Sequence, residues 1–197
     1  MGFAAPQRGV TLIELMIGIV IFSTLLGLAA PSFTVWLQNS QIRSAAESLQ
    51  HGLQVAHATA IQRNTVVWFR LVSALNDSCT VAPDGANWVV SIDDPAGACS
   101  TAPSDKTAPR IVQSRSGAES SRNATVAAET ASIGFNGLGR RVTTTSAATL
   151  KIDVANPTGG ECNARGGDMR CLRLSVSVGG QIRMCDPAAL NDSARGC

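Results

Sequence analysis

A run of apolar residues near the amino terminus, Val10 to Ala30, is the strongest pattern in the chain. Besides three residues with hydroxyl groups, the run contains one polar side chain, that of Glu14. As an α-helix, its 21 residues extend for roughly 30 Å, the thickness of the hydrocarbon core of a bilayer. The pattern therefore predicts a membrane-spanning helix.

A second helical pattern follows Pro31. Apolar residues recur with spacings of three and four, which indicates an amphipathic helix with one apolar stripe. The stripe consists of Ile42, Ala46, Leu49, Leu53, Ala56 and Ala60. We expect it to pack on a sheet of its own domain, and we expect the helix to end near Arg63 and Asn64. Both patterns then belong to one long helix, bent at Pro31, whose ring removes a backbone hydrogen bond.

From Thr65 onwards the periodicity changes to that of β-strands. Short segments rich in β-branched and aromatic residues alternate with turn-forming Gly, Pro, Asn and Asp. The predicted strands are Thr65–Val72, Trp88–Ile92, Arg110–Gln113, Thr125–Ala128, Ala131–Phe135, Thr149–Val154, Leu172–Val178 and Gln181–Met184. In the last hairpin, a three-residue loop at 179–181 places Val178 opposite Ile182 and Val176 opposite Met184.

All six cysteines lie beyond the apolar run. An even number in a translocated domain predicts disulfides formed in an oxidising compartment, here the periplasm. Many pairings are open, and we expect the nearest neighbours to pair. These pairs are Cys79–Cys99, Cys162–Cys171 and Cys185–Cys197. A zinc site is not predicted, because the sequence has no C-x-x-C and because His51 and His57 lie far from every cysteine.

The chain has 197 residues and a formal net charge of +2, which leaves room for one globular domain. So weak a charge argues against bulk electrostatic capture of nucleic acid or membrane. The sequence also lacks the nucleophile elbow, the zinc-protease motif, the P-loop and the dinucleotide-binding motif. We therefore predict that the protein is not an enzyme, and that it has no catalytic residues, no metal and no cofactor.

Glu14 is the anomaly of the apolar run, because a carboxylate in lipid is costly and is usually retained for a function. Before the run, residues 1–9 form a short leader that contains Arg8 and ends in Gly9. An ordinary secretory signal is cut after its apolar run, whereas Gly9 precedes it. Cleavage after Gly9 leaves the helix on the mature protein, with the amine of Val10 on the same helix face as Glu14. A plain membrane anchor is the alternative.

The segment RGVTLIELMIGIVIFSTLLGLAAPSF resembles the class III leader and the amino-terminal helix of type IV pilins and type II secretion pseudopilins. The resemblance implies that a prepilin peptidase cuts after Gly9 and methylates the amine of Val10. It also implies that Glu14 serves in filament assembly and that Pro31 kinks the helix.

The remainder of the chain resembles the GspH/FimT/FimU group of minor pilins and pseudopilins. The resemblance rests on the stretches ESLQHGLQVAHATAIQRNTVV, FNGLGRR and SVGGQIRMCDP. It implies an α+β fold of the type IV pilin kind, with a long amino-terminal helix packed on an antiparallel β-sheet head. The implied regions are a removed leader at 1–9, a transmembrane part of the helix at 10–37, and a periplasmic head at 38–197 that includes the amphipathic half of the helix.

The function implied by this resemblance is that of a minor pilin at or near the pilus tip, which helps to prime assembly for motility, adhesion or DNA uptake. Its partners are other minor and major pilins, contacted through the amino-terminal helix, and the prepilin peptidase. It waits in the bacterial inner membrane with its head in the periplasm and is then assembled into the filament. A GspH-like pseudopilin of a type II secretion system is an alternative.

A tip receptor for DNA is the other alternative, because arginines are frequent late in the chain. FimT-type pilins that bind DNA carry G-R-x-R on the last hairpin, whereas the matching stretch 180–183 reads G-Q-I-R. Clustered guanidinium groups still bind backbone phosphates. The residues for such a patch are Arg140, Arg141, Arg173 and Arg183. The competing interpretation, which we favour, is that these arginines are exposed strand residues or form ion pairs.

Overall fold

The computed structural model describes residues 9–142, 147–189, 193 and 195–197. Its longest element is helix α1, Leu12–Arg63, of 52 residues. The side chain of Thr11 caps the amino terminus by accepting a hydrogen bond from the backbone N–H of Glu14 (3.3 Å). At the other end, Asn64 has a left-handed φ of 47° and donates its N–H to carbonyls of the last turn. The helix therefore ends where the sequence predicted.

Nine strands, one short α-helix and two 3₁₀ helices follow α1 in the described part of the chain. They are β1 Val67–Val72, β2 Asn87–Ser91, β3 Ile111–Arg115, α2 Gly117–Ser120, β4 Thr125–Ala128, β5 Ser132–Phe135, β6 Arg141–Val142, β7 Thr149–Ala155, the 3₁₀ helices Pro157–Gly159 and Asn163–Arg165, β8 Leu172–Ser177 and β9 Ile182–Cys185. The sequence did not predict β6 or α2, because elements of two and four residues are too short to show a periodicity.

The strands form two antiparallel sheets that pack against the carboxyl-terminal half of α1. Within the described residues, the first sheet has the order β3-β2-β1-β5-β6 and the second the order β4-β7-β8-β9. All six residues of the predicted apolar stripe expose 2% or less of their surface. They share one core with side chains of both sheets. The α+β fold class, a long helix on antiparallel sheets, is therefore confirmed.

The close approach of α1 to the first sheet depends on Gly52. A Cβ atom at this position would lie 2.8 Å from Cε2 of Phe69 and 3.0 Å from the ring of Trp88. Trp88 is buried, and its indole N–H donates to Oγ of Ser48 at 3.1 Å. Helix and sheet are thus joined by aromatic packing in which the buried indole N–H is satisfied.

The predicted register of the β8–β9 hairpin was wrong by two residues. Val176 lies opposite Ile182, and not opposite Met184. The loop spans 178–180, and its last residue, Gly180, has a φ of 86°. A three-residue hairpin loop commonly ends in a left-handed residue, for which glycine has no steric penalty. Gly180 therefore closes the loop one residue earlier than we predicted, and a shift of two leaves the same side chains facing the core.

All six cysteines lie in the described part of the chain and are joined in disulfides. The bonded pairs are Cys79–Cys99, Cys162–Cys171 and Cys185–Cys197. The first pair belongs to a small second core beside the first sheet. The third pair ties the carboxyl terminus to the end of β9. Covalent links thus hold the loops of the head in addition to the apolar core.

Candidate functional site

The amino-terminal part of α1 projects a continuous apolar surface. Every large apolar side chain from Leu12 to Leu26 is at least 54% exposed. By contrast, the apolar stripe of the head half is buried. An exposed apolar surface of this length is unfavourable in water and indicates contact with lipid or with other apolar helices.

The two parts of α1 point in different directions. Among the described residues, no single straight helix is both long enough and apolar enough to cross a bilayer. The two parts of α1, Leu12–Gly27 and Ser32–Arg63, meet at an angle of 43° and together have the required length and composition. The side chain of Pro31 lies outside the described part of the structure. A kink caused by this residue therefore stays a prediction.

The polar side chains of the apolar segment differ in how they are satisfied. Oγ of Ser23 donates to the carbonyl of Ile19 at 2.8 Å, and Oγ1 of Thr24 donates to the carbonyl of Ile21 at 2.8 Å. Such bonds within the helix let hydroxyl groups enter apolar surroundings. In the described part of the chain, the carboxylate of Glu14 has no hydrogen-bond or ion-pair partner. Glu14 is therefore the polar side chain of this segment that still requires a hydrogen-bond or ion-pair partner.

The helix begins too late for Val10 and Glu14 to share one helix face. Gly9, Val10 and Thr11 precede the first helical residue, Leu12. The amine of Val10 is therefore not placed one helical turn before Glu14 on the same face. Residues 1–8 of the expected leader lie outside the described residues. A positive partner for Glu14 must come from a rearranged amino terminus or from another molecule.

Arg141, one of the four arginines of the expected phosphate-binding patch, is a structural residue. It is 4% exposed, and its guanidinium donates to the carbonyl of Val176 at 2.8 Å and to the carbonyl of Ala147. Its backbone N–H donates to the carbonyl of Val178 at 3.1 Å. Burial lowers the pKa of Arg141, against the attraction of Glu129. Arg141 thus links the edge of the first sheet to the second sheet and is not available to DNA.

A second arginine of the expected patch is also engaged. Nε and one terminal nitrogen of Arg173 donate to the two carboxylate oxygens of Asp153 at 2.6 and 3.0 Å. This hydrogen bonding raises the pKa of Arg173. Arg140 and Arg183 are exposed. The structure therefore brings together no accessible patch of all four arginines, because two of them bind protein groups.

The loop after β2 contains a second network of charges. Asp93 accepts a hydrogen bond from Nε of Arg110 at 2.7 Å, and this contact lowers the pKa of the carboxyl. The carbonyl of Asp93 and Oγ of Ser91 accept hydrogen bonds from the buried Arg70. Oδ1 of Asp94 accepts from the N–H of Ala96. The pair of acids serves the turn, and no group of acids, histidines or cysteines among the described residues could hold a metal ion.

A groove between α1 and the second sheet joins residues that are far apart in the sequence. Its volume is about 490 Å³, within the range of ligand sites. Its charged residues are Arg43, Arg170, Asp186 and Arg195. They come from the helix, from the segment before β8 and from the carboxyl-terminal tail. No local pattern in the sequence indicates this convergence.

Two family profiles match the chain. The profile of the Type II transport protein GspH matches residues 45–180, and that of the prokaryotic N-terminal methylation motif matches residues 5–30. No curated protein is similar enough to count as a match.

Two solved structures, two crystal forms of the type IV minor pilin FimU of Pseudomonas aeruginosa, are similar to the chain. One has a TM-score of 0.50 and 14% identity over 77% of this chain and 93% of that chain. The other has a TM-score of 0.48 and 14% identity over 77% and 98% of the two chains. At this identity, the first likeness supports the fold alone, which is that of a type IV pilin.

These matches agree with the geometry of the chain. The GspH profile spans more than half of the 197 residues. The methylation motif covers the segment in which Gly9 precedes the apolar helix and Glu14 stands alone. This family consists of structural subunits and is not an enzyme class. The chain therefore belongs to the GspH family, as a subunit of the minor pilin or pseudopilin type.

Proposed function

We propose that this chain is a minor type IV pilin at or near the pilus tip, where it helps to prime filament assembly. A prepilin peptidase removes residues 1–9 after Gly9 and methylates the amine of Val10. Residues 10–37 then anchor the subunit in the bacterial inner membrane, with the head, 38–197, in the periplasm. Other minor and major pilins are its partners. The observation that carries the proposal is Glu14, an unpartnered carboxylate on an exposed apolar helix.

The energetics of Glu14 supply a reason for assembly. A charged side chain at the centre of a bilayer costs about 2.5 kcal/mol or more, and Glu14, in the first turn of the helix, bears a part of that cost. When the subunit leaves the membrane, its apolar helix exchanges lipid for the helices of neighbouring subunits. The carboxylate of Glu14 can then pair with the amine of Val10 in an adjacent molecule, a partner that lipid does not supply. Assembly thus relieves an unfavourable charge without exposing apolar surface.

The test compares two Glu-to-Gln variants of one helix. Glu14→Gln removes the charge in the apolar segment, and Glu47→Gln removes an exposed carboxylate in the head half. We expect both variants to enter the inner membrane at the wild-type level. We expect Glu14→Gln to be depleted from sheared filaments by about tenfold or more, since a loss of about 1.4 kcal/mol corresponds to a factor of ten. Normal incorporation of Glu14→Gln would contradict the pairing role.

Processing at Gly9 is tested separately. The intact mass of the protein from native membranes should correspond to a chain that begins at Val10 with one added methyl group. A mass that retains residues 1–9 would contradict the proposed maturation, whatever the behaviour of Glu14.

A second candidate function is that of a pseudopilin in a type II secretion system, which the description of the matching family favours. The helix chemistry is the same in both machines. Deletion of the gene distinguishes them. Loss of surface pili with normal secretion supports the pilus, and loss of secretion with normal pili supports the pseudopilus.

A further inference from the structure

We propose that the groove between α1 and the second sheet binds the phosphate headgroup of an anionic phospholipid while the subunit is anchored in the membrane. The inference rests on the membrane stage of the proposed function. The groove is lined by Trp36, Asn39, Ser40, Arg43, Arg170, Leu172, Met184, Cys185, Asp186 and Arg195. It therefore combines an apolar wall with three guanidinium groups.

The charges of the groove favour an anion. Asp186 is already engaged, because Nε of Arg170 donates to its carboxylate at 2.8 Å. Arg43 pairs with Glu47, but both side chains are more than half exposed, and exposed pairs of this kind are weak. Arg195 has no ion-pair partner among the residues that the structure describes. Guanidinium groups suit phosphate oxygens because they can donate two parallel hydrogen bonds.

The arginines of the groove are held by their backbones. The N–H of Arg170 donates to Oδ1 of Asn39 at 2.7 Å, which fixes the segment before β8 to the helix. The carbonyl of Arg195 accepts from the N–H of Asp186 at 2.7 Å, next to the disulfide of the carboxyl-terminal tail. Arg43 and Arg195, which lie on separate segments, thus present positive charge beside the Arg170–Asp186 pair before any ligand arrives, which reduces the cost of ordering them.

The position of the groove along α1 favours a lipid as the source of the phosphate. Trp36 lines the groove and is 63% exposed; its ring stacks on Phe33 with centroids 5.7 Å apart. Tryptophan is enriched at the headgroup level at the ends of membrane-spanning helices. Arg43 is about 10 Å further along the axis, and helical side chains lean towards the amino terminus. In the structure, Nε of Arg43 binds Glu47 one turn further along α1, and a phosphate at the level of Trp36 would compete with Glu47 for this exposed guanidinium.

The experiment measures lipid selection by the full mature chain, purified in mild detergent. The chain is mixed with equal amounts of phosphatidylglycerol and phosphatidylcholine that have the same acyl chains, and native mass spectrometry counts the lipids retained. We expect preferential retention of phosphatidylglycerol. The double variant Arg43→Gln, Arg195→Gln should reduce this preference by about 25-fold, since each basic residue near an anionic surface contributes about fivefold.

The matched control is Arg140→Gln, Arg183→Gln, which removes two exposed arginines that do not line the groove. We expect it to retain the wild-type preference. Equal retention of both lipids by the wild type, or the same loss in the control, would overturn the proposal. The proposal would also be overturned if the wild type selected no lipid but copurified with an acidic subunit, and if the double variant Arg43→Gln, Arg195→Gln lost that subunit. Recovery of the mature chain outside the membrane fraction would instead contradict the proposed function.

Discussion

Replacing Arg141 by methionine tests whether this buried guanidinium joins the two sheets of the head. The variant Arg141→Met keeps a long unbranched side chain but removes the donors to the carbonyls of Val176 and Ala147. Both carbonyls belong to the second sheet or to the segment that leads into it, whereas Arg141 lies in β6 at the edge of the first sheet. The change therefore acts on the junction of the sheets.

The magnitude follows from two opposing contributions. Hydrogen bonds to a charged group stabilise by about 1.5–3 kcal/mol each, so two of them contribute about 3–6 kcal/mol. Burial of the guanidinium opposes this, as the lowered pKa of Arg141 indicates, and methionine removes that cost. We expect a net loss of about 2–4 kcal/mol in the free energy of unfolding. For a chain of this size, the melting temperature should fall by about 5–15 °C.

The assay is thermal unfolding of the mature chain in mild detergent, followed by circular dichroism. The control is Arg140→Met, which changes the exposed neighbour and should alter the free energy of unfolding by less than about 0.5 kcal/mol. Arg141→Lys should lie between the two, because an ammonium keeps the charge but not the planar fork of donors. If Arg141→Met melts within about 1 °C of Arg140→Met, the guanidinium does not hold the sheets together.

Two further predictions concern the head. Gly180→Ala should destabilise the head by about 1–3 kcal/mol, because Gly180 has a φ of 86° and an added Cβ would collide with the carbonyl of Gly139. The control is Gly179→Ala, whose Cβ would meet no atom closer than 3.8 Å. Equal melting temperatures of the two variants would contradict this prediction. Arg110 holds the pKa of Asp93 below its usual 3.8, so this pair stabilises the fold above that pH. Asp93→Asn should therefore have a lower melting temperature than the wild type at neutral pH. The difference between the two melting temperatures should vanish as the pH falls well below 3.8. A difference that persists in acid would show that the Asp93–Arg110 ion pair does not stabilise the fold.

The helical part of the fold was predictable because its signals are local. The spacing of Ile42, Ala46 and Leu49 reports one face of a helix whatever lies against it, and that face is buried. Asn64 marks the end of the helix through its own tolerance of a left-handed conformation. The isolated carboxylate of Glu14 in an apolar run is likewise a property of the sequence alone.

The hairpin register and the fate of the arginines could not be predicted in the same way. Apolar and polar residues alternate along β8 and β9, and two registers that differ by two residues place the same apolar side chains towards the core. The positive φ of Gly180 selects between these registers. Arg140 and Arg141 are neighbours in the sequence, but one is exposed and the other is buried between sheets. The sequence could not show which carbonyls would lie within reach of Arg141.

Local patterns therefore specified the long helix, its buried stripe, the succession of strands and the resemblance of the leader to that of pilins. The packing of the chain was needed to show that Arg141 joins the sheets, that Arg173 pairs with Asp153, and that Arg43, Arg170 and Arg195 meet at one groove. The difference lies in the range of the interactions. Periodicity and capping act within a few residues, whereas ion pairs and grooves depend on how distant segments pack together.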